Sequence, residues 1–454
     1  MVLGDLPTAR AEVAVTAPAI VASTADPCGE KGICDAKALK PFLKALFEVE
    51  SGKRKRPVHI LQIGDSHTAA DAISGALRAR LQARFGEAGR GALPPGRPFK
   101  AYNPRQVEVQ QSDGWRLEAS FLPAHFTESQ GARPGEPAPA VLTSGPFGLS
   151  GWRLVSTRAG ASLTLKADPE ARFDQAVVCA LAGPDAGELV VLTEEGERRM
   201  PLAAIRVQPV CRRFEFAGPQ NRLALTASDG PVTLLSFATF RNQPGVALSN
   251  LGVIGTQLGD FAARDDEVMR AELEAYAPDL IVLAYGTNDG FADHVDGPGY
   301  ETAVRDQIRR LRRLSPGTPV LLLGAPDANT LRKGIRADGK EDRGFDCSPL
   351  TSVEIADFAR LTADRSPQLA RWFPPAGLAV VRDAQKRAAE GEGAAFWDWA
   401  ARMGGPCSAH RLSHSTPRLV MGDHVHFTTD GGDLIAGLLW QDLTDAYTAQ
   451  MGGR

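Results

Sequence analysis

Three short stretches put chemically capable side chains where the chain changes direction. In "HILQIGDSHTAAD", residues 59–71, an apolar run ends in glycine, aspartate, serine and histidine immediately before a helical pattern. Ser66 falls at that turn, where the positive end of the following helix favours negative charge developing nearby and the serine N–H is free. The plain alternative is a helix N-cap. In "GDHVHF", Asp423 and His426 stand three residues apart, so one turn projects both. The carboxylate can then fix the imidazole while the other ring nitrogen faces a serine. A solvated loop is the competing reading. His424 beside His426 also raises metal ligation, which is set aside because no third and fourth ligands stand in register. In "YGTNDG", the amide of Asn288 can donate to a developing oxyanion, or simply make an Asx turn. Gly255 in "NLGVIGTQ" leaves a backbone N–H unshielded for a reacting carbonyl, unless it is only a turn glycine.

The surrounding pattern supplies the elements that must hold these residues. "AKALKPFLKALFEVE" has helical spacing, "VHILQI" (Val58 to Ile63) reads as a buried strand, and "HTAADAISGALRARLQARFG" as an amphipathic helix ended by Gly86. From about residue 92 to 247, proline-rich connections separate short alternating runs such as "ASLTLKA", "QAVVCALA", "GELVVLT", "RRFEFAG", "NRLALTA" and "VTLLSFATF". These predict an inserted antiparallel β-sandwich or jelly roll. The αβ rhythm then returns: a helix around 259–275, the strand "DLIVLAY", a helix over "YETAVRDQIRRLRRLS", the strand "PVLLLGAP", a helix near 376–390, the short strand "AAFWDW", and a closing helix capped by Thr428 or Thr429. Strands apolar on both faces and separated by helices imply a parallel sheet covered on both sides. In such sheets side chains converge beyond the carboxyl ends of the strands, which is where Ser66, Asn288 and the "GDHVHF" turn all fall. The domain organisation expected is an N-terminal extension over 1–35, an α/β domain in two parts, 36–91 and 248–454, and the β insertion over 92–247.

Composition narrows the class. A chain of 454 residues is long for one core. Its net charge of −3, from 51 basic and 54 acidic side chains, gives no surplus for nucleic acid or anionic lipid. The one dense basic run, "GKRKRP", lacks interleaved aromatics and reads as a solvated connection. No transmembrane segment is expected, and the first thirty residues have an Ala/Val tract without a basic start, not an intact signal peptide. Six cysteines suggest the pairs 28–34, 179–211 and 347–407, and hence an oxidising compartment. Reduced, buried thiols in a cytosolic protein are the alternative. Trp115 and Trp152 are candidates for stacking on sugar, with core packing the stronger reading of each.

Taken together, "GDSHT", "NLGVIG", "YGTND" and "DHVHF", in that order, resemble the four blocks of the GDSL or SGNH hydrolases. The likeness implies a flavodoxin-like doubly wound fold; no cofactor and no metal are expected. It implies Ser66 as nucleophile, His426 as base oriented by Asp423, and Ser66, Gly255 and Asn288 as the oxyanion hole. "LQIGDSHTAAD", the β insertion, "LIVLAYGTND" and "DHVHFTTDG" look like the peptidoglycan O-acetylesterase branch, over roughly residues 55–447. Departures are Asp289 where related sequences often carry Glu, Ala70 where they often carry Gly, and a cysteine-containing segment, Gly344 to Gln368, without a counterpart. The resemblance implies a periplasmic or secreted serine esterase that removes O-acetyl groups from a carbohydrate polymer, peptidoglycan or exopolysaccharide. A polysaccharide O-acetyltransferase with the same triad, and a noncatalytic glycan-binding protein, are the alternatives.

Overall fold

The computed structural model describes residue 28 and residues 32–100, 102–121, 140–332 and 346–452. Apart from Cys28 and residues 32–35, the expected N-terminal extension lies outside them, as does most of the tract read for an export signal.

A six-stranded sheet organises the α/β part, in the spatial order Ile33–Cys34, Ala395–Trp397, Val320–Leu323, Leu280–Ala284, Val58–Gly64, Val246–Gly252. Five strands are parallel and the short strand at Ile33 is an antiparallel edge. Counted along the chain, the parallel strands lie in the order 2-1-3-4-5, the flavodoxin-like order, with the Ser66 strand first and at the switch point. Alternation along each strand divides two cores. Val58, Ile60, Leu280, Val282, Leu321 and Leu323 face the helices Lys40–Glu50, Ala72–Phe85 and Thr429–Met451. Leu61, Ile63, Ile281, Leu283, Val320 and Leu322 face Asp266–Tyr276, Gly297–Leu314 and Ala376–Glu392.

The β-rich region forms two further sheets, antiparallel except where Trp115–Ala119 meets Val141–Leu142. One contains Gly196–Pro201, Glu188–Thr193, Arg222–Ser228, Ser162–Ala167 and Val107–Gln111. The other contains Gln208–Gln220, Phe173–Ala182, Thr233–Phe240, Trp152–Ser156, Trp115–Ala119, Val141–Leu142 and Gly91–Leu93. Their apolar residues share one core, in which Trp115 and Trp152 are buried. This region is not a detached unit in its packing. Val177, Cys179, Leu235 and Ala238 enter the same core as Leu61 and Ile63 of the parallel sheet. At that seam Glu272, on the helix Asp266–Tyr276, accepts from the Leu149 N–H at 2.6 Å and from the Ser236 hydroxyl.

Two helices differ from expectation. The helix expected around 259–275 is two, Leu258–Ala262 and Asp266–Tyr276, because Asp265 caps the second by accepting from the N–H groups of Glu267 and Val268. The helix expected from His67 onward breaks into Ser66–Ala69 and Ala72–Phe85 at Asp71, whose φ is +52°. Asp71 turns its carboxylate inward to Arg78 at 2.9 Å, Arg90 at 3.1 Å and the Ser74 hydroxyl at 2.7 Å. Burial pushes that carboxyl up, and the two guanidiniums outweigh burial and hold it well below the carboxylate range. All three expected disulfides are present, 28–34, 179–211 and 347–407.

Candidate active site

The strand Val58–Gly64 is buried throughout and delivers Asp65 and Ser66 straight into the sheet's carboxyl edge. Its neighbours end level with it, Gly64 pairing with Gly252 on one side and Ala284 on the other. The fit there is tight: a Cβ on Gly252 would lie 2.2 Å from the Ala69 nitrogen, so the short helix Ser66–Ala69 sits directly on that backbone. The Asp65 side chain accepts from the His67 N–H at 3.0 Å and caps the helix, which frees Ser66 from the capping role. Asn250 donates to the Thr68 carbonyl at 3.0 Å and accepts from Arg90 at 2.7 Å, joining the turn to the buried Asp71 cluster.

His426 comes from the far end of the chain. Its Nε2 lies 2.9 Å from Ser66 Oγ and its Nδ1 2.7 Å from Asp423 Oδ2. Asp423 Oδ1 accepts from the N–H groups of Val425 and His426, each at 3.0 Å, so the carboxylate holds the turn and the ring together. Partial burial pushes the Asp423 carboxyl up, but the bonds from His426 and Val425 outweigh it and bring it down to about 2. With Nδ1 as donor to a carboxylate, Nε2 is the lone-pair nitrogen toward the serine. Ser66 is almost buried while His426 and Asp423 are half-exposed, so the hydroxyl stands at the floor of a site open on the histidine side.

Gly255, at φ +78°, lies in the turn after Val246–Gly252. Asn288 lies in the one-turn helix Thr287–Gly290 that follows Leu280–Ala284, and its Nδ2 donates to the Thr256 carbonyl at 2.9 Å, while Gln257 donates to the Asn288 carbonyl at 3.3 Å. The two turns are therefore tied to each other. One hydrogen of the Asn288 amide is used in that tie and the second is left for another acceptor. Asp289 accepts from the Leu258 N–H at 3.1 Å, and burial raises its carboxyl to about 6.

His67 carries more than its place in "GDSHT" signals. Its ring is buried against Trp399 and Phe427, its Nε2 lies 3.0 Å from the Val425 carbonyl and its Nδ1 3.3 Å from Asp65 Oδ1. Burial pulls the imidazole down, and the two acceptors more than offset it, so the pKa is raised. The serine turn is thereby braced against the loop that carries Asp423 and His426. Sequence register offers the His424–His426 pair no third and fourth ligands, but in three dimensions His410 and His414 lie beside His424.

Residues 226–434 match the family model described as GDSL-like Lipase/Acylhydrolase. That span holds Gly255, Asn288, Asp423 and His426 but begins after Ser66, since the β-rich region separates the first block from the rest. No curated protein sequence matches the chain. Among solved structures, a peptidoglycan O-acetylesterase superposes with a TM-score of 0.69 at 23% identity, covering 92% of this chain and 99% of that one. A family two carbohydrate esterase from Clostridium thermocellum in complex with cellohexaose gives 0.25 at 12% identity, covering 66% and 95%. A salicylyl-acyltransferase from a tetracycline biosynthetic pathway gives 0.30 at 14%, covering 78% and 96%. Residues 226–434 are therefore similar to a GDSL-like lipase/acylhydrolase domain, and the chain shares the fold of that peptidoglycan O-acetylesterase over nearly its whole length.

Proposed function

We propose that this is a serine esterase that removes O-acetyl groups from a carbohydrate polymer, with Ser66 as nucleophile, His426 as general base and Asp423 as its orienting acid. The observation that carries the reading is the unbroken run of hydrogen bonds from Asp423 through His426 to Ser66, at 2.7 and 2.9 Å. As Ser66 Oγ attacks the acetyl carbonyl, its proton passes to His426 Nε2. The developing oxyanion is met by the N–H groups of Ser66 and Gly255 and the amide of Asn288. His426 returns the proton to the departing sugar oxygen, leaving acetyl-Ser66. Water, deprotonated by the same imidazole, then attacks the acetyl carbonyl, and as acetate leaves the imidazole returns that proton to Ser66 Oγ. No step calls for a cofactor.

Several features support the acetylated-glycan part. The fold is shared, over nearly the whole length of both chains, with a peptidoglycan O-acetylesterase, which makes acetylated peptidoglycan the first substrate to test, with bacterial exopolysaccharides next. The β-rich region over 92–247 would serve as a carbohydrate-binding wall of the same enzyme. Three disulfides fit an oxidising, periplasmic or secreted setting, and among the described residues no helix is long and apolar enough to cross a membrane. The test is Ser66→Ala, assayed for acetate release from acetylated peptidoglycan and for hydrolysis of p-nitrophenyl acetate. Loss of both activities with an unchanged circular dichroism spectrum is expected. Wild-type turnover in the variant would remove Ser66 from the mechanism.

A further inference from the structure

Three imidazoles outside the Ser66 triad meet at one place. His410 and His414 are four residues apart at the end of the helix Ser408–Ser413, a spacing that puts both rings on one face. His424 reaches them from the loop between Met421 and His426. One ring nitrogen from each lies within 4.8 Å of the other two, and the ring centroids are 4.5, 5.0 and 5.5 Å apart.

The surroundings fix this trio in ways that suit ligation. His414 Nδ1 lies 2.9 Å from the His410 carbonyl, an acceptor, so Nδ1 carries the proton and Nε2 the lone pair. That is the arrangement of a metal-bound imidazole whose second nitrogen is held by a carbonyl. Asn329 secures two of the three backbones: its Oδ1 accepts from the His410 N–H at 2.7 Å, and its N–H donates to the His424 carbonyl at 3.0 Å. Asp327 accepts from the Ala409 N–H at 3.0 Å at the start of the same helix. The His424 ring lies on Trp372, with centroids 3.6 Å apart. The 347–407 disulfide joins the residue just before this helix to the segment that bridges with Trp372. The cysteine-containing segment without counterpart thus frames the three histidines. His424 is buried, His410 half-buried and His414 exposed, which leaves one side of the cluster toward solvent.

We propose that His410, His414 and His424 form a binding site for a borderline divalent transition cation of the zinc type, with solvent completing the coordination. Three neutral imidazoles and one open position make up a known ligand set for such ions, which prefer imidazole where calcium and magnesium prefer oxygen. A bound cation would tie the loop bearing Asp423 and His426 to the disulfide-framed segment. That consequence rests on the esterase reading, whereas cation binding does not.

The test uses the full chain with its disulfides intact, stripped with a chelator and titrated calorimetrically with zinc ions. One equivalent per chain is expected, together with a rise in the thermal midpoint. His414→Ala, which removes an exposed ring, should weaken binding by at least about 100-fold and abolish the rise in midpoint, with an unchanged circular dichroism spectrum. Ser66→Ala, inactive on the esterase reading, should bind zinc as the wild type does, so the two assignments are read separately. A wild type that takes up no zinc, or a His414→Ala variant that binds it as tightly as the wild type, would overturn the site.

Discussion

Asparagine at position 423 tests the triad through hydrogen-bond arithmetic. The carboxylate takes three bonds, from the Val425 and His426 N–H groups on Oδ1 and from His426 Nδ1 on Oδ2. Asparagine offers one oxygen and one NH2. If the oxygen keeps the two backbone bonds, the NH2 faces Nδ1, which can then only accept. The ring becomes the Nε2–H tautomer, and Nε2 can no longer take the Ser66 proton. If the amide rotates instead, two backbone N–H groups face an NH2, at about 1–3 kcal/mol for each unmet donor. The first arrangement therefore prevails. A triad locked in the wrong tautomer loses about 10⁴ in kcat. Asp423 and His426 are 47% and 40% exposed, so water relieves part of the mismatch. The loss expected for Asp423→Asn is accordingly nearer 10³, or about 4 kcal/mol of barrier. Initial rates on p-nitrophenyl acetate would separate kcat from KM, and KM should change little, because the defect lies in proton transfer. If the variant keeps more than about a tenth of wild-type kcat, Asp423 does not orient His426 and the catalytic reading of this turn is wrong.

Two other outcomes follow from the same geometry. Asn288→Ala should lower kcat by on the order of 10²–10³ through loss of one oxyanion donor, with a modest fall in thermal midpoint from the lost bond to the Thr256 carbonyl; an unaltered kcat would show that the amide serves only that bond. Glu272 is fully buried, and burial raises its carboxyl to about 7 despite bonds from Ser236 and Leu149 and the nearby Arg264. The fold therefore holds a proton that the unfolded chain releases near pH 4.5. The resulting stability is complete below that pH and is lost as pH rises toward 7, by roughly 3 kcal/mol in all. Urea unfolding across this range should give a shallower decline for Glu272→Gln than for the wild type, and parallel curves for the two would refute the assignment.

How much of this was legible in the sequence depends on the range of the forces involved. The strand Val58–Gly64, the parallel sheet and the Thr428 cap are written in local periodicity and capping chemistry, and they appear where expected. The meeting of Ser66, His426 and Asp423 follows from convergence at the carboxyl ends of the strands, where the turns leaving neighbouring parallel strands lie side by side. Strands such as Val107–Gln111, Trp115–Ala119 and Trp152–Ser156 were not singled out. They lie among prolines and glycines and carry arginine, glutamate or glutamine on their outer faces. The breaks at Asp71 and Asp265 depend on a single carboxylate choosing partners, buried arginines in one case and backbone amides in the other. The His410, His414 and His424 group was missed for a different reason. An i,i+4 pair is visible along a helix, but its third member is brought in by Asn329 and by a disulfide that closes across 60 residues.

Ser66 and His426 are separated by 360 positions, and their contact has a consequence for how the chain is made. On the proposed mechanism, the ribosome releases Ser66 long before His426, the residue that would take its proton. A nascent chain, or a fragment cut anywhere ahead of residue 423, holds a serine with nothing to deprotonate it. On that mechanism ester cleavage waits until the turn bearing Asp423 and His426 has been made and has folded against Ser66.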